Sequence, residues 1–553
     1  MCGIWALIKE NLVLDSKVIE SFNSVKNRGP DTSILHINQQ HNYIAGFHRL
    51  AINDISVSGN QPFYHSTDIA DYILMANGEI YNHKELEEKY NIKTKSKSDC
   101  EVLLPLFLKM EDEFDEFNNL LRGEYAILII KKYKKNKFIE YMISTDPLSV
   151  RPMFYFVHKQ FIGFSSLLSG LSNYSDDVQR LDQGTCIRGI TDLELFNEYD
   201  MVRYHKTPVD LLPYKVDDEE KDLIPLYQKI VDTLYESVKL RLESDRPLGC
   251  LLSGGLDSSL VSAIAAKELA KTNQKLRTFS IGMKDGTDIE YANMVAKHID
   301  SDHTVFNMTQ EQGLEVIEDV IKATETYDIT TIRASVGQYL IAKNISEKTN
   351  VKVILNGDGA DECEMGYLYF YSHPSIEEAT KERDKLLQQI HLFDGLRVDR
   401  NISHHGLEAR VPFLDKEFVD LYYKISPDLL VPTKERMEKH LIRRAFDVIM
   451  PELLPKEVMW RKKEAFSDGI SSKEKSWYLT VKEHYNNLVT DDEFKTRHEL
   501  SGVTPLCKES FYYRKRFNEL FNKNERVIPR YWLANWSDSK DPSARTLKVY
   551  EDK

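Results

Sequence analysis

Short runs of β-branched and aromatic residues dominate the first 200 positions of the chain. Residues 72–76 (YILMA), 125–130 (YAILII) and 138–143 (FIEYMI) each predict a strand. Residues 153–157 and 161–164 flank a three-residue turn and predict a β-hairpin. The pattern therefore indicates a strand-rich first domain.

The pattern changes after this strand-rich part. Pro208, Pro213 and the acidic run at residues 217–220 (DDEE) predict a linker over residues 204–222. Beyond the linker, apolar residues recur every four positions, which predicts a helix with one buried face. These apolar positions are Leu226, Ile230, Leu234, Val238 and Leu242.

Strands and helices then alternate along the chain. Residues 248–252 (LGCLL), 277–281 (RTFSI) and 351–355 (VKVIL) predict strands, and residues 260–269 predict a helix. This alternation favours a parallel, doubly wound sheet, in which ligands bind beyond the carboxyl ends of the strands. We therefore expect the chemistry of this domain in the turns that follow its strands.

Composition narrows the class of protein and of partner. The 553 residues are too many for one core and predict two or three domains. A formal net charge of −14 argues against a broad nucleic-acid surface. No apolar run approaches about 20 residues and no signal peptide opens the chain, so we expect no membrane partner and a cytoplasmic location. The six cysteines contain no CxxC pair, which argues against a disulfide framework or a zinc site.

Residues 253–259 (SGGLDSS) follow a predicted strand and open a helix. Paired glycines let backbone amides approach an anion, and the helix N-terminus adds partial positive charge. The three serine hydroxyls can donate to phosphate oxygens, while Asp257 can hold a bridging magnesium ion. The structural alternative is a glycine turn capped by serines. The run lacks the lysine of a Walker motif and resembles the SGGxDS loop of ATP pyrophosphatases.

A second loop, residues 356–362 (NGDGADE), follows the predicted strand at 351–355. It places two glycines and three carboxylates at the carboxyl end of that strand. Asp361 is a candidate second carboxylate for magnesium. The alternative is an acidic, solvated loop, and two such loops on one sheet weaken that alternative.

Cys2 follows the initiator Met1, which is readily removed before a small residue. A thiol and a free α-amine would then share one residue. An α-amine has an ordinary pKa of about 7.7–8 and can act as the base for its own nucleophile. An ordinary buried cysteine is the alternative for Cys2 alone.

Four more motifs lie in the first hundred residues: 28–31 (RGPD), 48–50 (HRL), 77–82 (NGEIYN) and 98–99 (SD). Together with Cys2 they resemble class II glutamine amidotransferases of the N-terminal nucleophile type. With the SGGLDSS loop, the resemblance is to the family of glutamine-hydrolysing asparagine synthetases over about the first 470 residues. Further motifs of that family stand in the same order at residues 325–328, 331–335, 407–415 and 460–464.

The resemblance implies an α/β multidomain fold. Residues 2–203 would form an N-terminal αββα N-terminal-nucleophile glutaminase sandwich. Residues 223–553 would form a C-terminal doubly wound parallel α/β synthetase domain with helical extensions. The implied activity converts aspartate to asparagine with ATP and Mg²⁺, using ammonia that is released from glutamine and passes through an internal tunnel. Family members are commonly dimers, so the resemblance leaves a homodimer open for this chain.

The resemblance also assigns roles in the glutaminase domain. Cys2 would attack the side-chain amide of glutamine while its α-amine relays the proton. Asn77 and the Gly78 amide would form the oxyanion hole for the tetrahedral intermediate. The residues assigned to bound glutamine are Arg49 for its α-carboxylate, and Glu79 and Asp99 for its ammonium.

In the synthetase domain, the β-carboxylate of aspartate would attack the α-phosphorus of ATP and form β-aspartyl-AMP and pyrophosphate. The residues assigned to ATP and pyrophosphate are Leu251, Ser253, Gly254, Gly255, Asp257, Ser258, Ile281, Asp288 and Gly357. Asp257 and Asp361 would share Mg²⁺, and Lys463 would neutralise charge. Arg333 is the candidate for binding aspartate, with a structural ion pair as an equal alternative.

Two residues and two short segments depart from the family pattern. Asp358 stands where a glutamate, thought to deprotonate ammonium or the tetrahedral intermediate, is usual. We expect Asp358 to keep that role through a local backbone shift or a water, because it is one methylene shorter. Glu124 replaces an apolar residue near the tunnel, residues 144–149 (STDPLS) replace GRDxxG, and residues 165–166 (SS) replace Ser-Glu. We predict that glutamine hydrolysis survives while ammonia transfer is leakier.

Three other functions stay open. A related enzyme that amidates or cyclises a different carboxylate would share the architecture, although β-lactam synthetases lack the nucleophilic cysteine. A non-catalytic regulator would still bind glutamine or ATP, which the retention of the motif residues argues against. The departures at the domain interface leave a bare glutaminase or an ammonia-only synthetase open.

Overall fold

Three sheets organise the chain in a computed structural model, which describes residues 1–38, 40, 42–158, 160–194, 197–283, 286–463 and 476–537. The strands of the first two sheets are β1 Gly3–Lys9, β2 Thr32–Ile37, β3 Tyr43–Arg49, β4 Phe63–Ser66, β5 Ala70–Ile80, β6 Gly123–Tyr133, β7 Ile139–Thr145, β8 Phe154–His158, β9 Phe161–Ser165, β10 Gln179–Arg180, β11 Thr185–Thr191 and β12 Asn197–Arg203. The strands of the third are β13 Leu248–Leu251, β14 Arg277–Gly282, β15 Asp302–Asn307, β16 Val353–Leu355 and β17 Glu408–Arg410.

The described helices surround these sheets. They are α1 Ser16–Asn23, α2 His83–Tyr90, α3 Leu103–Lys109, α4 Phe114–Leu120, α5 Glu220–Leu240, α6 Leu256–Ala270, α7 Thr287–His298, α8 Gln310–Glu315, α9 Ile317–Thr324, α10 Ile329–Lys348, α11 Ala360–Cys363, α12 Ile376–Gln388, α13 Asp394–Ser403, α14 Lys416–Lys424, α15 Pro427–Leu430, α16 His440–Ile449, α17 Lys456–Met459, α18 Trp477–Leu488, α19 Asp491–Lys495 and α20 Lys508–Leu520. None of the described helices has the length and apolarity that crossing a bilayer requires.

The first two sheets form an αββα sandwich. Both are antiparallel and six-stranded, in the orders β10-β8-β9-β1-β3-β2 and β12-β11-β7-β6-β5-β4. Alternate residues of β6 face opposite ways, because a strand points successive side chains to opposite faces. Leu128 and Ile130 pack between the sheets with residues of β1 and β3, whereas Ile127 and Ile129 pack against α2–α4. Val18 and Phe22 of α1 pack on the outer face of β1.

The third sheet is parallel, in the order β15-β14-β13-β16-β17. The chain moves to one side from β13 through β14 to β15, and then returns to the other side of β13 with β16 and β17. The strand order therefore reverses between β13 and β16. In doubly wound sheets, ligands bind at such a reversal, beyond the carboxyl ends of the two strands. The SGGLDSS loop follows β13 and the NGDGADE loop follows β16, so both loops open at this point.

The fold class is confirmed and each predicted strand and helix corresponds to an observed element, although Leu242 lies beyond the end of α5 and β16 begins at Val353 rather than at residue 351. The predicted hairpin is β8–β9, although Lys159 in its turn lies outside the described residues. The predicted amphipathic helix is α5, with Leu226, Ile230 and Leu234 buried. The sequence analysis did not predict β17, because a buried three-residue strand with charged residues at both ends has no apolar pattern.

The proposed domain boundaries agree with the element boundaries and stay a prediction. β12 ends at Arg203 and α5 begins at Glu220. Within residues 204–219, all of which the structure describes, there is no helix or strand. Trp532, in the C-terminal part that carried no readable motif, lines the cleft at the third sheet. Residues 538–553 of the predicted second domain lie outside the described residues.

Candidate active sites

Cys2 lies at the start of β1, against the end of β5. Its backbone N–H donates to Oδ1 of Asn77 at 2.7 Å, and its thiol lies 3.7 Å from the carbonyl oxygen of Leu50. Burial raises the pKa of the Cys2 thiol, although the Met1 amine opposes this. The Nδ2 atom of Asn77 is buried and has no hydrogen-bond partner among the described residues. The side chain that accepts from the Cys2 backbone therefore also carries an N–H donor that makes no hydrogen bond among the described residues.

Gly78 occupies a position that only glycine fits. Its φ is +143°, and a Cβ atom there would lie 1.9 Å from the carbonyl oxygen of Glu124 on β6. The absence of a side chain lets β5 run close to β6 while the backbone turns near Asn77. This geometry explains why glycine stands here, and the oxyanion-hole role that the resemblance implies for its amide stays a prediction.

Arg49 is held by a loop rather than by an acidic partner. Its Nη1 atom donates to the Ser56 carbonyl at 2.6 Å and to the Asn60 side chain at 2.8 Å. Its Nη2 atom donates to the carbonyl of Asp54. Neutral acceptors leave the positive charge of Arg49 uncompensated at these contacts. The arrangement suits a carboxylate ligand, which a bidentate guanidinium binds well.

Glu79 and Asp99 lie together, linked by a residue that the sequence analysis missed. Asn53 donates through Nδ2 to Glu79 at 2.5 Å and lies 3.5 Å from Asp99. Burial and the neighbouring Asp99 raise the pKa of Glu79, and burial also raises the pKa of Asp99. Two buried carboxyl groups favour a bound ammonium. No motif marked Asn53, because its role depends on a loop folding back over β5.

The C-terminal domain reaches this first site through β17. Arg410 lies 3.3 Å from Glu79 and 2.9 Å from Glu408. Glu408 accepts from the Met1 amine at 3.0 Å, and both groups are buried. Burial raises the pKa of Glu408, but the Met1 amine and Arg410 outweigh this and lower it to about 2. Neither residue was assigned a role from sequence.

The SGGLDSS loop is compact and approaches its neighbours closely. The hydroxyls of Ser253 and Ser258 lie 3.0 Å apart, at the N-terminus of α6. Gly254 has φ +77°, and a Cβ atom on it would lie 2.5 Å from the backbone nitrogen of Ala292. A Cβ atom on Gly357 would lie 2.7 Å from the backbone nitrogen of Ser258. The glycines therefore bring two loops and a helix end together, as an anion site needs.

Asp257 and Asp361 are joined by a lysine that the sequence analysis missed. The Nζ atom of Lys439 lies 2.5 Å from Oδ2 of Asp257 and 2.7 Å from Oδ1 of Asp361. Lys463 pairs with the other oxygen of Asp361. Burial raises the pKa of Asp361, but the two lysines outweigh this and hold it below its ordinary value. Lys439 carries no sequence signal because it lies 78 positions beyond Asp361.

These carboxylates fit a magnesium ion whose coordination a substrate completes. The Oδ1 atom of Asp257 is buried without a hydrogen-bond partner among the described residues. Within that part of the chain, no group of three or more His, Cys, Asp or Glu residues is arranged to hold a metal. Magnesium is commonly bound by one or two carboxylates together with substrate phosphates. The Asp257–Asp361 pair beside the phosphate-type loop has this chemistry.

Asp358 lies in the cleft between two donors. Arg397 on α13 donates to its Oδ1 atom, and Gln338 on α10 lies 3.4 Å from its Oδ2 atom. Burial raises the pKa of Asp358, although Arg397 opposes this. Arg397 also pairs with Asp394 at 2.5 Å. The Asp358 side chain, although shorter than glutamate, is therefore held in the cleft by its ion pair with Arg397. Arg397 itself lines the cleft but belongs to no motif that the sequence analysis found.

The other predicted nucleotide residues also line the cleft. Leu251 and Ile281 lie at the ends of β13 and β14, next to Gly255 of the phosphate-type loop. Asp288, in the first turn of α7, accepts from Arg461 at 2.8 Å. The structure thus brings together an apolar wall, an acid and the loop.

Arg333 is not brought to the cleft. It lies on α10, where its guanidinium donates to Glu509 of α20 at 2.9 Å and 2.5 Å. Both side chains are buried, and Arg333 is not among the described residues that line the cleft. The substrate role is therefore unsupported, and the structural ion pair is the alternative that the geometry favours. Glu464, the last residue of the 460–464 motif, lies outside the described residues.

Two of the departures from the family pattern, Glu124 and the segment 165–166, contact the C-terminal domain. Glu124 is buried and accepts from Arg151 at 2.7 Å and from Arg241 of α5 at 2.8 Å. Within residues 144–149, the Asp146 carboxylate accepts backbone N–H groups, including that of Arg151 at 3.0 Å. The Ser166 carbonyl accepts from Arg400 of α13 at 3.2 Å. Glu124 and Ser166 therefore contact the C-terminal domain, whereas this contact of Asp146 lies within the N-terminal domain.

Comparisons with known proteins cover both domains. Residues 1–198 match the family model of a glutamine amidotransferase domain, and residues 229–387 and 377–540 match that of asparagine synthase. The chain is 38% identical over 572 aligned positions to the glutamine-hydrolysing asparagine synthetase of Bos taurus, covering all of this chain and 99% of that protein. It is 37% identical over 569 positions to the same enzyme of Gallus gallus, with the same coverage of both chains. The chain belongs to the family of glutamine-hydrolysing asparagine synthetases.

Proposed function

We propose that this chain makes asparagine from aspartate, ATP and glutamine, and that ammonia passes inside the protein from Cys2 to Asp358. One residue carries this proposal by touching both sites. The side chain of Arg410 lies 3.3 Å from Glu79, while its carbonyl accepts from the Asn356 N–H at 3.1 Å. Asn356 opens the loop that holds Asp358. Adjacent strands thus link the two candidate sites directly.

In the first half-reaction, removal of Met1 frees the α-amine of Cys2. That amine takes the thiol proton as the sulfur attacks the side-chain carbon of glutamine, and later gives it to the leaving ammonia. The buried Nδ2 atom of Asn77 and the Gly78 N–H stabilise the negative oxygen of the tetrahedral intermediate. Water then hydrolyses the thioester and releases glutamate.

Recognition of glutamine uses both ends of its amino-acid group. Arg49 binds the α-carboxylate, because its guanidinium is held by neutral acceptors and keeps its charge for a ligand. Glu79 and Asp99 bind the α-ammonium. A substrate cation between these two carboxyl groups favours their ionised forms, which burial otherwise opposes.

In the second half-reaction, the β-carboxylate of aspartate attacks the α-phosphorus of ATP. This forms β-aspartyl-AMP and pyrophosphate, and it turns a carboxylate oxygen into a leaving group. Ser253, Ser258 and the N-terminus of α6 hold the pyrophosphate, and Lys463 neutralises part of its charge. Asp358, held by Arg397, accepts a proton as ammonia attacks the activated carbonyl and AMP departs.

Asp257 and Asp361 would hold the magnesium ion. When bound, this ion supplies charge neutralisation for the phosphate oxygens and for the pyrophosphate that leaves. The Oδ1 atom of Asp257, which is buried and has no hydrogen-bond partner among the described residues, supports this assignment.

The test follows amide-¹⁵N glutamine by NMR and the nucleotides by chromatography, with aspartate, ATP and Mg²⁺ present. We expect labelled asparagine, glutamate, AMP and pyrophosphate. Cys2→Ala should abolish this synthesis, and added ammonium should restore it. Labelled ammonia without asparagine would contradict the proposal and leave a bare glutaminase. Activity with ammonium alone would leave an ammonia-only synthetase.

The proposal also covers the oligomeric state, the location and the partners of the enzyme. We expect a cytoplasmic homodimer without a membrane partner. We also expect no nucleic-acid partner, because a net charge of −14 disfavours a broad nucleic-acid surface. Analytical ultracentrifugation of the full chain tests the dimer, since a single sedimenting species of monomer mass would contradict it. Cell fractionation tests the location.

A further inference from the structure

The two carboxylates assigned to magnesium already hold a cation supplied by the chain itself. One ammonium group, Nζ of Lys439, lies 2.5 Å from Asp257 and 2.7 Å from Asp361. These carboxylates belong to the loops after β13 and β16, on either side of the reversal in strand order. A cation that bridges two such carboxylates occupies the place where a bridging metal ion would bind.

The position of this lysine is built into the backbone. Lys439 has φ +59°, in the left-handed region that side chains disfavour, and its side chain is 3% exposed. Gly366 lies opposite and leaves room for the Lys439 side chain. A Cβ atom on Gly366 would lie only 2.4 Å from Cε of Lys439 and 2.3 Å from Oδ1 of Asp361. Met365, just before it, has φ +51°. The fold thus accepts unfavourable backbone geometry to place this side chain.

The neighbouring charges explain why the Lys439 ammonium remains between Asp257 and Asp361. The Nζ atom of Lys439 contacts one oxygen of Asp257 and one of Asp361, and its side chain is almost fully buried, so water screens these ion pairs little. Glu364, three residues after Asp361, is also buried. Lys463 reaches only Asp361 among these carboxylates. Among the described residues, Lys439 is therefore the cation that forms a salt bridge with Asp257, while Arg443 adds a longer-range attraction.

From this geometry we propose that Lys439 occupies the bridging-cation position of the free enzyme and makes metal binding depend on nucleotide. A divalent ion and the ammonium repel each other, so the ion enters only when Nζ moves aside. Phosphate oxygens supply the extra negative charge that keeps both cations nearby. This inference rests on the proposed function and adds an order to it: metal enters with ATP and does not precede it.

Mn²⁺ binding without nucleotide tests the inference, followed by electron paramagnetic resonance on the full chain. We expect Lys439→Met to bind Mn²⁺ at least ten-fold more tightly than the unchanged chain. Lys439→Met should also melt at a lower temperature in metal-free buffer, and Mn²⁺ should restore its melting temperature. Lys462→Met is the matched control, because Lys462 lines the cleft but is exposed. Its Mn²⁺ affinity should equal that of the unchanged chain.

Equal Mn²⁺ affinity of Lys439→Met and the unchanged chain would overturn the inference. Lys439→Gln gives the same comparison if Lys439→Met does not fold, because its amide can still donate to a carboxylate. Failure of the proposed function is separate. Asparagine formation without any divalent metal would contradict the proposed magnesium site. Metal-dependent synthesis by an unchanged chain that binds Mn²⁺ tightly without nucleotide would contradict only the role of Lys439.

Discussion

Nη2 of Arg151 lies 2.7 Å from Oε2 of Glu124, and both side chains are buried where the two domains meet. The other oxygen of Glu124 accepts from Arg241 at 2.8 Å and from the Val411 N–H at 3.1 Å. One carboxylate therefore ties a glutaminase segment to α5 and to the residue after β17. A residue that departs from the family pattern has become the centre of an interdomain ion network.

Replacing Glu124 with methionine should destabilise the protein, because it leaves two buried arginines without this carboxylate. Breaking a buried ion pair typically costs about 3–5 kcal/mol. Urea unfolding of Glu124→Met at pH 7 measures the loss in free energy of unfolding. Lys137→Met is a suitable control, since the ion pairs of Lys137 among the described residues are exposed and such pairs contribute little, so its unfolding midpoint should stay unchanged. An unchanged midpoint in Glu124→Met would contradict the role of the network.

Ammonia transfer should be leaky in the unchanged chain. A charged residue, Glu124, replaces an apolar one near the expected ammonia path, and free ammonia next to polar groups and water is readily protonated. At saturating substrates we expect more glutamate than asparagine to accumulate. Chromatography of both amino acids over time gives the ratio. Equal yields would show tight transfer and contradict this prediction.

Asp358→Asn should lower ammonia-dependent asparagine synthesis by about 100-fold or more, which is the usual contribution of a general base. The amide keeps the size of the side chain and removes its basic oxygen. Pyrophosphate release should fall less, because the activation of aspartate precedes this proton transfer. Asp358→Glu, which restores the family residue, should stay within about ten-fold of the unchanged chain. Full activity in Asp358→Asn would refute the assignment.

Arg333 and Arg397 should respond differently to substitution by methionine. Arg333→Met leaves Glu509 buried and unpaired, so we expect a loss of about 3–5 kcal/mol in stability and an unchanged KM for aspartate. Arg397→Met should raise the KM for aspartate or lower kcat, because Arg397 holds Asp358 in the cleft. Steady-state kinetics with ammonium, together with urea unfolding, separates the two. A raised KM in Arg333→Met at unchanged stability would restore its substrate role.

Acid should weaken the domain interface. Asp399 on α13 accepts from Arg28 at 2.7 Å and 2.9 Å. Burial raises the pKa of Asp399, but Arg28, Arg400 and Arg151 outweigh this and hold it below its ordinary value. A carboxyl group with a depressed folded pKa stabilises the fold above its unfolded pKa of about 3.9, and that contribution is lost as pH falls.

The free energy of unfolding should therefore fall as pH drops from about 5 towards 2. Urea midpoints across this range measure the effect. Asp399→Asn should start less stable at pH 7 and show a shallower dependence on pH. The same slope in Asp399→Asn and the unchanged chain would show that another group carries the acid sensitivity.

Local patterns in the sequence determined much of this protein. Runs of β-branched and aromatic residues predicted β5–β7, the four-residue spacing predicted α5, and the loops after β13 and β16 predicted where a nucleotide site would lie. These signals are readable because strand faces, helix faces and glycine turns depend on neighbouring residues. The motif at residues 77–82 likewise spans the end of β5 and the turn after it.

Only the tertiary structure decided which charged residues meet. Lys439 reaches Asp361 across 78 positions, Asn53 joins Glu79 to Asp99, and Arg333 pairs with Glu509 rather than facing the cleft. Such contacts leave no periodic signal, since a buried ion pair constrains two distant residues and nothing between them. Glycine turns and apolar spacing are local properties that the sequence displays, whereas charge pairing arises when the chain has folded and distant side chains share one dry environment.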